Sequence, residues 1–233
     1  MEWYHKLRST IISEGWTSSQ HDECLYYFKK SEDGRIAILT TYVDDTFTTG
    51  DFTEEIQRMR ASLLKKYEGR DLGTPDKLIG VGITVGEDGI TLDQQMYAKI
   101  NVMAGMGTLE VRKTSTSLDP GKDLSAKQDQ EEELDPIIYP YASVLGKLMF
   151  LAGMTRPDLA NSICELGRRA ASPCMRHWRG LQHVLRYVAR TLDVCIHYDR
   201  ADKDMNERDE ELLVGYGDSD WGTDPQTRRS VTG

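Results

Sequence analysis

Two adjacent aspartates, Asp44 and Asp45, stand in "TTYVDDTFTTG" (residues 40–50) between two short runs of β-forming residues. Like charges held side by side cost stability unless they lie in water or beside a cation. An exposed hairpin turn is the plain reading, because aspartate tolerates turn geometry well. Two features point elsewhere. Val43 and Thr46 bracket a two-residue loop, and Asn-Gly or Asp-Gly would make the better tight turn there. The strand leading in, "IAILTTYV", is too apolar for an exposed edge and predicts a sheet covered on at least one face. A covered strand ending in paired carboxylates suits a hard divalent cation. Mg²⁺ takes oxygen ligands and commonly joins one or two carboxylates to substrate phosphates. Two such ions can clamp the attacking and leaving oxygens of a phosphoryl transfer.

A second charged pattern lies in "RHWRGLQHVLRYVARTL" (176–192). At about 100° per residue, Trp178, Leu181, Val184, Leu185, Val188 and Leu192 share one helix face. Arg176, Arg179, His183, Arg186 and Arg190 fall within about 80° on the opposite side. Such a stripe suits phosphate contacts, which position a nucleic acid without reading its bases. The plain alternative is an ordinary solvated face. Zinc is disfavoured at Cys174, His177 and His183: Cys174 precedes the helix, His183 lies on the basic stripe, and no fourth ligand is evident.

The elements that must carry these residues follow from periodicity. "EWYHKLRSTIISEG" spaces Trp3, Leu7, Ile11 and Ile12 as a helix stopped by Gly15. "ECLYYFKK" and "RIAILTTYV" read as strands joined through "SEDG", and "TFTTG" returns as a third. Asp51 and Glu54 make a capping box for a helix with Ile56, Met59, Leu63 and Tyr67 on one face and Gly69 at its end. "KLIGVGITVGEDGITLDQ" is a hairpin turning at Glu87–Gly89, with a helix from about Gln95 to Met103. "YASVLGKLMFLAG" is apolar nearly all round, as a buried helix. In "TRPDLANSICELGRRAASP", Thr155 and Asp158 predict a cap, Pro157 the first turn and Pro173 the stop.

The chain has 233 residues and a formal charge of −9, long enough for one large domain or two modest ones. The global acidity argues against nucleic acid, yet residues 139–192 hold eight basic and two acidic side chains. The acids concentrate in residues 119–136 and 199–211, read as solvated linkers because they lack apolar periodicity. They separate segments 1–118, 137–198 and 209–233. The N-terminus lacks the apolar block of a signal peptide, and no run is long enough to span a membrane. Four scattered cysteines exclude a Cys-x-x-Cys framework and fit a reducing compartment. Cys24, Cys164 and Cys195 neighbour apolar residues and read as small core fillers.

"TYVDDTFTTGD" resembles the Tyr-x-Asp-Asp motif of reverse transcriptases, in the form found in copia-type retrotransposon polyproteins. "EWYHKL", "HDECLYYF", "DLGTPDKLIGVGI", "YPYASVLGKLMFLAGMTRPDLA", "HWRGLQHVLRYVARTLD" and "GYGDSDWGTDPQTRRSVTG" resemble blocks of that family in family order, covering nearly the whole chain. The resemblance implies an α+β fold: a partial palm of antiparallel sheet with packed helices over 1–118, an acidic linker over 119–136 and a helical thumb over 137–198. A charged linker over 199–208 and the start of a ribonuclease H-like domain over 209–233 follow. Asp44 and Asp45 map onto two of three catalytic carboxylates, which bind two Mg²⁺ or Mn²⁺ ions, and Tyr42 and Val43 line the site near the primer end. Asp44 is the stronger expectation as a direct ligand, because neighbouring strand residues point to opposite sides. "LIGVGITV" maps near the primer grip, with Gly82 where the family usually carries an acid. Asp218 matches the first metal-binding aspartate of ribonuclease H.

The implied partners are an RNA or DNA template–primer duplex and deoxynucleotides. Further Pol segments, upstream with the third carboxylate and downstream completing ribonuclease H, are also implied; a membrane is not. The implied location is cytoplasmic, in a virus-like particle, and also nuclear. The chain alone is expected not to polymerise DNA, and a non-catalytic nucleic-acid-binding remnant is the alternative.

Overall fold

The computed structural model describes residues 2–29, 34–103, 114–118, 124–125, 128 and 130–200. Mixed helices and antiparallel sheets form two compact units, divided at Thr74/Pro75. The expected "SEDG" turn falls largely outside the described residues, as does the whole of 209–233 with Asp218.

In the first unit, α1 (Glu2–Ser13) leads through β1 (Thr17–Ser18) into β2 (Leu25–Lys29), β3 (Ile36–Tyr42) and β4 (Asp45–Gly50), and α2 (Thr53–Lys66) closes it. The sheet is antiparallel in the order β1-β2-β3-β4, so β3 is interior, as its apolar sequence requires. Leu7 and Ile11 of α1 and Ile56 and Met59 of α2 bury against Tyr26, Ala37 and Leu39, with Trp16 beside them. The helices therefore cover one sheet face. Gly15, at φ +91, ends α1 in the left-handed region that glycine enters without a Cβ penalty. At Gly50 (φ +128) a Cβ would collide with the Ile36 carbonyl, which accepts from Asp51 N–H at 3.1 Å.

The expected Asp51–Glu54 capping box does not form. Asp51 Oδ1 instead accepts the Ile36 N–H at 2.7 Å, Glu54 pairs with Arg35, and Phe52 occupies the cap position. The strand next door outbid the helix terminus for that carboxylate. Helix α2 is tied to α1 by a polar network: Glu14 accepts from Ser62, Lys66 and Arg58, and Arg58 also holds Glu55. Buried Glu55 accepts the Trp16 indole N–H at 2.7 Å. The Ser62, Lys66 and Arg58 donors hold the Glu14 carboxyl down at about 2.

In the second unit, β5 (Lys77–Leu78), β6 (Val81–Val85) and β7 (Gly89–Asp93) precede α3 (Gln95–Tyr97), which widens into a π-type turn over Ala98–Val102. Then come α4 (Tyr141–Met154), a 3₁₀ turn (Pro157–Leu159), α5 (Ala160–Gly167), α6 (Met175–Arg190) and β8 (Ile196–Asp199). Strand β8 returns to pair with β7, with Ile90 opposite Tyr198. Leu145, Leu148, Leu151, Leu159, Leu166, Leu181, Val184 and Val188 make the helical core. Residues 75–103 pack with 137–200 in this unit.

Three further expectations are corrected. Helix α4 is not buried all round, since Ala142, Gly146, Met149 and Gly153 form an exposed stripe. Thr155 does not cap: its hydroxyl donates to Gln94 Oε1 at 3.0 Å, and α5 ends at Gly167, before Pro173. Cys24, Cys164 and Cys195 are exposed, and the buried cysteine is Cys174. Its N–H donates to His177 Nδ1, whose Nε2–H donates to Ser125 O, so α6 starts from a Cys-His cap. Burial, only partly opposed by that Ser125 bond, lowers the His177 pKa, in keeping with a neutral ring.

Candidate active site

The β3–β4 hairpin builds the site. Tyr42 pairs with Asp45, so the two-residue loop is Val43–Asp44, one residue earlier than Val43 and Thr46 had implied. Asp45 is the first residue of β4, and Asp44 is a loop residue to which strand alternation does not apply. Ala37, Leu39 and Thr41 point toward the helices; Ile38, Thr40 and Tyr42 therefore face the other side, and Asp45 and Phe47 join them there. Tyr42 is 54 % exposed, and Asp44 and Asp45 are exposed. No described side chain hydrogen-bonds or ion-pairs with either carboxylate, and no group of three or more His, Cys, Asp or Glu gathers among the described residues. The pair thus presents hard oxygen donors with free lone pairs, a chemistry that fits Mg²⁺ or Mn²⁺.

The turn is strained. Val43 has φ +56, in the left-handed region, where a β-branched residue is an outlier costing roughly 1–2 kcal/mol. Val43, and not Asp44, carries the positive φ, the pattern of a type II′ loop that favours glycine first. Strain of this kind persists only where surrounding contacts hold it, and it concentrates at functional sites. One such contact is present: the Trp3 indole N–H donates to Val43 O at 3.0 Å. The sequence places Trp3 on a helix face, and no local pattern links it to a residue 40 positions away.

The basic stripe on α6 is partly occupied. Arg176 binds Glu131 at 2.8 Å and Ser125 at 2.9 Å, and His183 Nε2 meets Thr116 O at 3.0 Å. Arg179 and Arg190 are exposed, while Arg186 is half-buried. Glu131 of the acidic stretch thus places a carboxylate on that face. Leu124 of the same stretch is buried beneath Gly180, which Arg169 secures by donating to Leu124 O. Near the hairpin of β6 and β7, the Asp93 carboxylate lies over Gly82, about where a side chain at 82 would begin.

A family model described as reverse transcriptase (RNA-dependent DNA polymerase) matches residues 1–116. The Pol polyprotein from transposon TNT 1-94 of Nicotiana tabacum is 29% identical over 100% of this chain, which spans 17% of that protein. A putative transposon Ty5-1 protein of Saccharomyces cerevisiae is 31% identical over 84% of the chain and 62% of its own length. The Pol polyprotein from transposon RE2 of Arabidopsis thaliana is 26% identical over 99% of the chain and 15% of its own length. No solved structure matches the chain.

Proposed function

We propose that this chain is part of a reverse transcriptase (RNA-dependent DNA polymerase) within a copia-type retrotransposon Pol polyprotein, as the match over residues 1–116 supports, and that Asp44 and Asp45 hold divalent metal at a nucleotidyl-transfer centre. One observation supports this above others: the hairpin tip presents both carboxylates exposed and, among the described residues, unpaired, with Tyr42 directly across from Asp45. The reaction is template-directed attack of a primer 3′-hydroxyl on the α-phosphate of a deoxynucleotide. Bound Mg²⁺, two ions in the complete enzyme, would supply the positive charge that steadies the attacking and leaving oxygens. The chain's own residues orient the parts. Asp44 and Asp45 fix the ions' place, and Tyr42 and Val43 border the primer end. Arg179 and Arg190, with Arg176, His183 and Arg186 on the same face, meet duplex phosphates. In this reading 1–118 is palm and 137–198 is thumb, and Asp218 opens a ribonuclease H-like segment.

Mn²⁺ binding tests the pair. In the presence of poly(rA)/oligo(dT) and dTTP, the chain should bind Mn²⁺, and D44N/D45N should lose that binding. Equal binding by the double variant would remove both residues from the site. The chain alone is expected to give no primer extension. Robust Mg²⁺-dependent incorporation would overturn that expectation. Duplex binding without any Mn²⁺ site would favour the non-catalytic reading.

A further inference from the structure

The strained peptide between Val43 and Asp44 is gripped from outside the hairpin. In a two-residue loop, the alternative turns I′ and II′ differ by a flip of the central peptide. Here that peptide joins Val43 to Asp44, and its oxygen is the atom to which Trp3 donates at 3.0 Å. A flip would carry Val43 O away from the indole and change ψ at Val43 and φ at Asp44. It would also reverse the Asp44 N–H, the backbone dipole next to that carboxylate, while the flanking Cα–Cβ directions stay nearly in place. Trp3 is itself braced: its ring packs edge-on against Tyr67, with centroids 5.1 Å apart. Tyr67 in turn is pinned at both sides of its hydroxyl, by Thr10 Oγ1 at 2.6 Å and by Lys6 O at 3.2 Å. Helix α1 and the end of α2 thus form a rigid mount whose free donor meets the turn.

We propose that Trp3 is a positioning residue: its indole N–H selects one orientation of the Val43–Asp44 peptide and thereby sets which way the Asp44 N–H points beside its carboxylate. The part concerning the peptide stands on the contact alone. The part concerning metal rests on the reading of Asp44 and Asp45 given above. Trp3 touches no substrate in this account and acts only through the backbone.

The test is nuclear magnetic resonance on the isotopically labelled full chain, wild type against Trp3→Phe. Phenylalanine retains a ring against Tyr67 and removes the donor. In W3F the φ-sensitive coupling of Asp44 and the carbonyl resonance of Val43 should both change. The Mn²⁺ midpoint, read by broadening at Asp44 and Asp45, should rise about fivefold, as loss of one hydrogen bond to the turn implies. The melting temperature should stay close to that of wild type. Unchanged Asp44 coupling and Val43 carbonyl shift in folded W3F would overturn the proposal. If W3F does not fold, the wild-type chain still decides: scalar coupling across the Trp3 Nε1–H to Val43 hydrogen bond supports it, and its absence sinks it. Absence of Mn²⁺ broadening in wild type would defeat the metal reading while the coupling still judged Trp3.

Discussion

At the residue scale, Val43 and Glu14 each hold a state that the free amino acid would not choose. Val43 is 74 % exposed, so its side chain contributes little packing to offset its left-handed backbone. Replacing it by glycine removes a strain of roughly 1–2 kcal/mol and adds an unfolded-state entropy cost of about 0.4–1 kcal/mol. V43G should therefore raise the thermal midpoint, by up to about 1.6 kcal/mol in stability, where a surface β-strand glycine would ordinarily lower it. Glu14 has its carboxyl held at about 2, against an ordinary value of 4.5. A depressed carboxyl stabilises the fold fully above its unfolded value, and that contribution fades as pH falls from about 4.5 toward about 2. Urea midpoints measured between pH 5 and 2 should fall more steeply for wild type than for E14Q. Parallel slopes would remove Glu14 from the acid response.

At the element scale, the joint between α4 and α6 depends on Arg156. It is 3 % exposed, holds Asp158 through two nitrogens at 2.8 and 2.9 Å, and donates to Thr191 O and Oγ1 at the end of α6. A cation there meets both a carboxylate and a helix C-terminus. Burial pushes the Asp158 carboxyl upward, but Arg156's hydrogen bonds and charge outweigh it and leave the net shift downward. R156M should cost about 2–3 kcal/mol, below the full value for a buried pair because Asp158 reaches water, and R156K should recover part of it. Chemical denaturation of the three proteins checks the order. The face of α6 that packs was legible from spacing alone, since Trp178, Leu181, Val184, Leu185 and Val188 are all buried. Its caps, and those of α2 and α5, were not legible, because Asp51 and Thr155 found partners on other elements.

At the scale of the whole molecule, charge is distributed against its average. The net −9 conceals a basic helix, and part of the acidic stretch folds back on that helix through Glu131 and Leu124. Phosphate contact by α6 then falls mainly to the exposed Arg179 and Arg190. If both neutralise a phosphate, R179A/R190A should weaken binding to a primer–template duplex and reduce the slope of log affinity against log salt by about 2. An unchanged slope would return this face to ordinary solvent exposure. Among the described residues no helix is long and apolar enough to cross a membrane.

By itself the sequence determined the strands around Asp44 and Asp45, the hairpin of β6 and β7, the packing face of α6 and the resemblance of residues 1–116 to reverse transcriptases. Each of these is written in a local period or a contiguous motif. Only the tertiary structure decided that the loop is Val43–Asp44, that Trp3 grips it, that β8 returns to β7 and that Leu124 lies under Gly180. The last three depend on which surfaces meet across 40 or more residues, and hydrogen-bond donors and apolar faces do not announce their distant partners. The two aspartates could be found by reading; what holds them at their angle could not.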